Sequence, residues 1–287
     1  MGDVQELHND VMHEPQPSGA AVQAGAYLLE LSRDWIVLRA SENIHHLLGE
    51  SHVTLIDEPL GRFVHAQALH DLRNLFSRLS GTTGIARAYG IRLTDEPELV
   101  DVAFQLSGAR VLLEAVPSAG GFGECFGSVG GLIAGLGSVG GRALLDNGAR
   151  RMRALTGYDR VTLAWGDKRA ESTRGAFDAA ATSHEELPVI LADANAPGVP
   201  LFPRDDTDSS AGEALLCACD SETHRRLAEG SIRASLRVAF VADGMEGEFR
   251  CESRRAREPS FELHAAAELF AQLFGMKLEI ARLKGGD

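Results

Sequence analysis

The 287-residue sequence predicts an α+β fold in two successive domains, each an antiparallel sheet flanked by helices. Two hairpin signals carry that expectation, one in each half. Leu99–Leu106 and Ala109–Ala115 alternate apolar with polar residues around Ser107-Gly108, and Ala234–Val241 and Glu246–Glu252 flank Ala242-Asp243-Gly244. A Gly-rich break at 118–141 separates them. Lys and Arg number 28 against 41 Asp and Glu, a net charge of −13 that repels phosphate backbones and anionic lipid. Nucleic acid and membrane surfaces are therefore excluded as expected partners. No run approaches the roughly 18 apolar residues of a membrane span. The acidic start MGDVQELHNDVMHEP lacks a secretory pattern, so a cytoplasmic location is expected.

Residues 1–25, with Pro15, Pro17, Gly19 and Gly25, read as an irregular arm. Ala26–Leu31 and Trp35–Arg39 read as strands around the polar turn 32–34, and 41–49 as a short helix capped by Ser41 and stopped by Gly49. Leu69, Leu72, Leu75, Phe76 and Leu79 share one face of a helix over 66–79, and three β-like runs follow at 84–93, 99–106 and 109–115. Two strands, short helices and three further strands are the order of a PAS domain, here 26–117. After the linker at 118–141, a second domain spans 142–287. It opens with a helix at 142–156 ended by Gly157, then a strand at 158–165. Residues 167–215 read as loop-rich, with one short strand at 189–192. The last and longest helix covers 260–284, where Ala266, Leu269, Leu273, Met276, Ile280 and Leu283 repeat at 3–4 spacing.

Chemistry-bearing motifs are few. Cys125, Cys217, Cys219 and Cys251 form neither a disulfide framework nor a CxxC, and read as buried free thiols, the 217/219 pair on a helix. No metal site is expected. The Gly-x-Gly spacings of 118–141 lack the Gly-Lys-Ser/Thr of a phosphate loop. His45-His46 read as a solvated helix face, and Arg250, Arg254, Arg255 and Arg257 as pairing with Glu252 and Glu258. Glu185-Glu186 have no neighbouring nucleophile or His arrangement. Without a nucleophile elbow, HExxH or kinase signature, the chain is not expected to be an enzyme.

Leu155-Thr-Gly-Tyr-Asp-Arg-Val161 resembles the helix-to-strand entry of the GAF domain in phytochromes, and Ser231–Gly244 its central hairpin. Pro188–Asp193 with Pro197–Pro203 is similar to the segment leading into the lasso loop. Glu14-Pro15 and Val22–Leu31 resemble the arm and first PAS strand of bacterial phytochromes. The resemblance spans nearly the whole chain in order. It implies a PAS–GAF pair with the arm threaded through the lasso in a figure-of-eight knot.

The bilin-binding motifs depart from that family. Its bacterial members attach biliverdin through a Cys just before the Glu-Pro, whereas this chain has no thiol before Cys125. The Pro-Ala-Ser-Asp-Ile-Pro motif is replaced by a shortened Thr173–Pro188 stretch holding Asp178 and Glu186. By the resemblance, the His beside the chromophore water falls on Thr223, or on His224 with one deletion, and the propionate-binding Arg on Cys217. A second pocket His falls on Glu252, and the Tyr of the first GAF strand on Ala164, beside Trp165. A GAF thiol at Cys217 or Cys219 is the alternative attachment point. Trp165, Asp178, Cys217, Thr223, His224 and Glu252 are thus the candidate pocket residues, in a cavity expected to be smaller or partly filled, with Phe177 or Trp165 turned inward.

The expectation is a sensory PAS–GAF module of phytochrome type that has lost its bilin, with no cofactor, signalling through the 260–284 helix as a homodimer to a downstream output domain or signalling partner. Noncovalent biliverdin in a red/far-red photoreceptor, or another small ligand in the GAF pocket, is the alternative.

Overall fold

The computed structural model describes residues 20–79, 84–120, 123–137, 139–175, 177, 187–204 and 209–285. Its elements begin earlier than expected. Within the arm, Ala21–Gln23 form a strand, β1, that an irregular reading of 1–25 had not foreseen. Arm residues 1–19, and with them Glu14-Pro15 and any knot, lie outside the described residues.

β2 (Tyr27–Ser32) and β3 (Val37–Ser41) follow. The short helix α1 (His45–Leu48) ends on Gly49, whose φ of 73° lies in the left-handed region that a residue without a Cβ adopts freely. Ser41 is not its cap: it ends β3, buried, and its hydroxyl accepts the Leu28 amide at 3.1 Å. α2 (His52–Leu55) is capped by Ser51, and α3 (Ala66–Ser77) turns Ala68 and Leu72 inward. β4 (Ile85–Ile91), β5 (Val100–Ser107) and β6 (Arg110–Pro117) complete the strands of this half, with β5 and β6 paired from Val100↔Pro117 to Ser107↔Arg110.

The Gly-rich stretch, expected as a linker, contains the helix α4 (Glu124–Ala134), whose Val129 is buried. Glu262 holds its first turn, the Oε1 accepting the Gly123 and Cys125 amides at 3.0 and 3.2 Å. α5 (Gly141–Thr156) ends on Gly157 in the left-handed region, as expected. β7 (Arg160–Trp165) pairs with β8 (Lys168–Thr173), and β9 (Ile190–Leu191) and β10 (Gly198–Phe202) follow. β8 and β10 lie in the stretch expected to be mostly loop. α6 (Ser221–Glu229) leads to β11 (Ala234–Ala242) and β12 (Met245–Ser253). Their turn places Asp243 and Gly244 both at positive φ, 55° and 70°, the backbone of a tight antiparallel hairpin. α7 (Phe261–Gly285) closes the chain.

Among the described residues the strands form two sheets, β1–β10–β3–β2–β6–β5–β4 and β8–β7–β12–β11–β9. One face of the first sheet, with Leu29, Leu31, Val102, Phe104, Val111 and Leu113, packs on α1–α3. Alternate residues of the same strands, Leu28, Ala103, Leu112 and Val116, join the core of the second half. The sheets therefore share a core. In the second sheet Phe249 and Phe240 meet Phe270 and Phe274 of α7, with ring centroids 5.2–5.9 Å apart. Phe270 and Phe274 are fully buried, and so is Ala266, the first residue of the 3–4 repeat along this helix. No helix among the described residues is long and apolar enough to cross a membrane.

α5 passes close to α7 at Gly148, where a Cβ would lie 2.3 Å from the Phe274 ring. Gly148→Ala is therefore expected to destabilise by about 1–3 kcal/mol through overpacking. Phe274→Ala should cost about 3–5 kcal/mol. Urea unfolding of the two variants checks both, and an unchanged midpoint for Gly148→Ala would show that α5 and α7 are not in register as described.

Candidate functional site

The candidate positions fall on both sides of the second sheet. Alternation along β7 sends Val161, Leu163 and Trp165 to the face covered by α5 and α7, and Arg160, Thr162 and Ala164 to the other, outer face. Trp165 is buried on the helix-covered side, its indole N–H donating to the Ala242 carbonyl at 3.1 Å. It does not turn toward the outer face. Register places Ser235, Glu252 and Arg160 side by side on that outer face, then Arg237, Arg250 and Thr162.

Glu252, mapped by the resemblance onto a pocket His, is fully buried and paired with Arg160, itself 4% exposed. Glu248, one row beyond Arg237 and Arg250 and opposite Ala239 and Ala164, accepts from both of them at 2.8 Å. Phe177 lies over the same region, its ring 4.6 Å from the Arg160 guanidinium carbon and 4.3 Å from that of Arg254. The Arg cluster thus pairs otherwise than expected. Arg250 meets Glu248; the Arg257 guanidinium donates to the Thr156 and Gly157 carbonyls and stacks on Tyr158. Asp178 and Glu186, with Glu185, lie outside the described residues.

Cys217, Thr223 and His224 gather at the β9 edge of the sheet. Cys217 is neither on a helix nor fully buried: it is half-buried, as is Cys125, and sits in an extended stretch bridged to Val22, with its carbonyl accepting from the Gln23 side chain at 3.1 Å. Cys219 precedes α6 and packs with Leu191, Leu227 and Ile232. Burial pushes the Cys217 thiol up to about 11 and that of Cys219 to about 12, so neither is a ready thiolate near neutrality. Thr223 is buried in the first turn of α6, where its amide donates to the capping Asp220 carboxylate at 2.7 Å. His224, half-buried on the next position, lies near the Asp193 carboxylate that Arg233 holds at 2.5–2.8 Å. His45 and His46 are exposed, as expected.

The residues that sequence reasoning missed are those of the first sheet that hold this edge. Glu114 of β6, fully buried, accepts the Leu215 and Leu216 amides, both at 2.8 Å, just before Cys217. Glu30 of β2 accepts Ser209 Oγ at 2.7 Å and the Ser210 amide at 2.8 Å, and is held by Arg39 and Arg110. Gln23 bonds Ile190 and Ala192 as well as Cys217. The only sequence signal was a carboxylate inside an otherwise apolar strand.

No protein-family model matches the chain, and no curated protein matches it. Solved structures do. The chromophore-binding domain of an unusual bacteriophytochrome from R. palustris superposes with a TM-score of 0.74 at 20% identity, over 95% of this chain and 99% of that one. The chromophore-binding domain of Stigmatella aurantiaca phytochrome P1 gives 0.70 at 21% identity, over 92% and 97%. The longer photosensory core module of Stigmatella aurantiaca phytochrome gives 0.73 at 19% identity, this chain covering 62% of it. The fold is therefore that of a phytochrome chromophore-binding domain, PAS followed by GAF, with its antiparallel sheets and helices.

Burial raises the Glu114 carboxyl to about 7, against the two amide bonds and the Arg87 charge, which lower it; Cys217 is the other titratable group beside it. A folded-state value above the unfolded one means the group's contribution is fully present below about pH 4.5 and is lost as pH rises through 7. The stability of Glu114→Gln relative to the natural chain should therefore improve between pH 5 and pH 8, by up to about 3 kcal/mol. Urea midpoints of both proteins across that range test the sign; a flat difference would contradict it.

Proposed function

We propose that the chain is the sensory part of a cytoplasmic signalling protein, built on the phytochrome PAS–GAF fold, that does not attach a bilin covalently and has no catalytic activity of its own. The observation that carries this reading is the outer face of the second sheet. There, Arg160 pairs with Glu252 and Glu248 is shared by Arg237 and Arg250, so each of these arginines already faces a carboxylate across or along the strands. A bilin brings two propionates, and seating one against Arg160, Arg237 or Arg250 places it beside the Glu252 or Glu248 carboxylate, a like-charge contact that opposes binding. Of the thiols that could replace the missing arm cysteine, Cys219 is buried and Cys217 half-buried, and burial raises both above the usual thiol range.

A signal would leave through α7. Leu269, Met276, Ile280 and Leu283 are 39%, 58%, 45% and 75% exposed, with Leu273 half-buried between them. Burying each large aliphatic side chain is worth about 1.5–3 kcal/mol, which favours pairing of this stripe with that of a second copy. A downstream output domain or signalling partner would receive the resulting helix movement. The second reading, a photoreceptor holding biliverdin noncovalently, is favoured by the likeness to chromophore-binding domains of bacterial phytochromes.

Coexpression with a haem oxygenase tests the first point. The purified protein is expected colourless and of unmodified mass. A stable biliverdin adduct would overturn the reading, and reversible red/far-red absorption without an adduct would establish the second one. For the helix, light scattering at tens of micromolar is expected to give a dimer that Leu273→Glu with Ile280→Glu dissociates; a monomeric natural chain would exclude pairing through α7.

A further inference from the structure

A cavity of about 740 Å³ opens between the first turn of α5, the last turns of α7 and the β7–β8 turn. It lies on the helix-covered side of the second sheet, opposite the face bearing Arg160 and Glu252, so it is separate from the region discussed above. Leu144, Leu145, Trp165 and Leu278 form its apolar walls. Its volume is in the range of sites that enclose a small molecule, and an apolar body with few polar groups is the usual lining of such sites.

The mouth is cationic on a chain of net charge −13. Arg142, Lys168, Arg169 and Arg282 stand around it, with Asp167 as the acidic lining residue. Two of these cations are already matched: Arg142 pairs with Asp146 at 2.9 Å and Arg282 with Asp243 at 2.7 Å. The other two are not held by a carboxylate among the described residues. Arg169 donates to the carbonyls of Gly166 and Lys168 in its own turn, and the Lys168 ammonium lies 4.7 Å over the Trp165 ring. Asp167 sits next to both, so the turn itself carries one net positive charge. Gly140 and Gly141 put no side chain across the entrance.

We propose that this cavity binds a single-chain anionic amphiphile, its carboxylate at Lys168 and Arg169 and its apolar chain along Leu144, Leu145, Trp165 and Leu278. A long-chain carboxylate matches both parts: the walls take the methylenes, and the turn takes the charge through charge-assisted hydrogen bonds. The ligand would touch α5 and the exit end of α7 together, which gives a chemical input to the same helix without use of the outer face.

Calorimetric titration of the full chain with dodecanoate, below its micelle-forming concentration, tests this. One saturable site is expected. Lys168→Glu with Arg169→Glu should weaken it by about tenfold or more, the loss of a charge-assisted contact. Ala281→Trp, which places an indole at the cavity wall, should abolish binding while circular dichroism and thermal unfolding stay those of the natural chain. Dodecyltrimethylammonium should not bind. The proposal is overturned by the absence of a saturable site, including the case in which a second copy covers the mouth. Equal binding of the cationic amphiphile, or undiminished affinity in either variant, also overturns it.

Discussion

The stretches 198–204 and 209–217 that follow β9 must find partners for their backbone, and they find them on the first sheet. β10 adds between β1 and β3 as a strand of that sheet, pairing Leu201 with Ser41 and Pro200 with Ala21. Farther on, donors at 210, 215 and 216 are met by the carboxylates of Glu30 and Glu114. Buried amides without acceptors would cost about 1–3 kcal/mol each, so this arrangement fixes where the segment runs. Because Leu28 and Leu112 flank those carboxylates in one continuous core, neither half can move without disturbing both the polar and the apolar contacts.

The same coupling reaches α7. Arg87 of β4 bonds Glu268 at 2.8 Å and the His264 ring at 2.7 Å. Burial, with the Arg87 charge, holds His264 down to about 3, so the imidazole stays neutral and its Nδ1 accepts from the guanidinium. With Glu262 holding the start of α4, the first turns of α7 are tied to the first sheet. Its later turns are different in character: they expose the aliphatic stripe and form one wall of the cavity beside Trp165. One helix thus has an anchored end and an end open to partners or ligands.

The two faces of the second sheet divide in the same way. The inner face is a phenylalanine cluster that packs α5 and α7. The outer face carries rows of opposite charges paired across β7, β11 and β12, close to the edge where Cys217 and α6 lie. Chemistry on such a face depends on whether an incoming group can compete with carboxylates that the arginines already face, which is a stricter demand than volume.

Most elements were legible in the sequence because their information is local. The 3–4 spacing of α3, α5 and α7, the alternation of β5, β6, β11 and β12, and the left-handed glycines at 49 and 157 each lie within a few residues of what they specify. Ser41 misled for the same reason: a good cap residue is also a good acceptor for a neighbouring strand, and Leu28 decided between them. β1, β8 and β10 carry little periodicity of their own and become strands only through their partners, Ala21–Gln23 against β10, β10 against Ser41, and β8 against β7. The candidate site divides likewise. The sequence showed the missing arm thiol and the carboxylate at 252, because identity alone reveals them. Tertiary structure alone decided that Trp165 faces the helices, that Glu252 meets Arg160 from 92 residues away, and that Glu114 holds the chain before Cys217, since ion pairs and backbone satisfaction depend on which strands come to lie side by side.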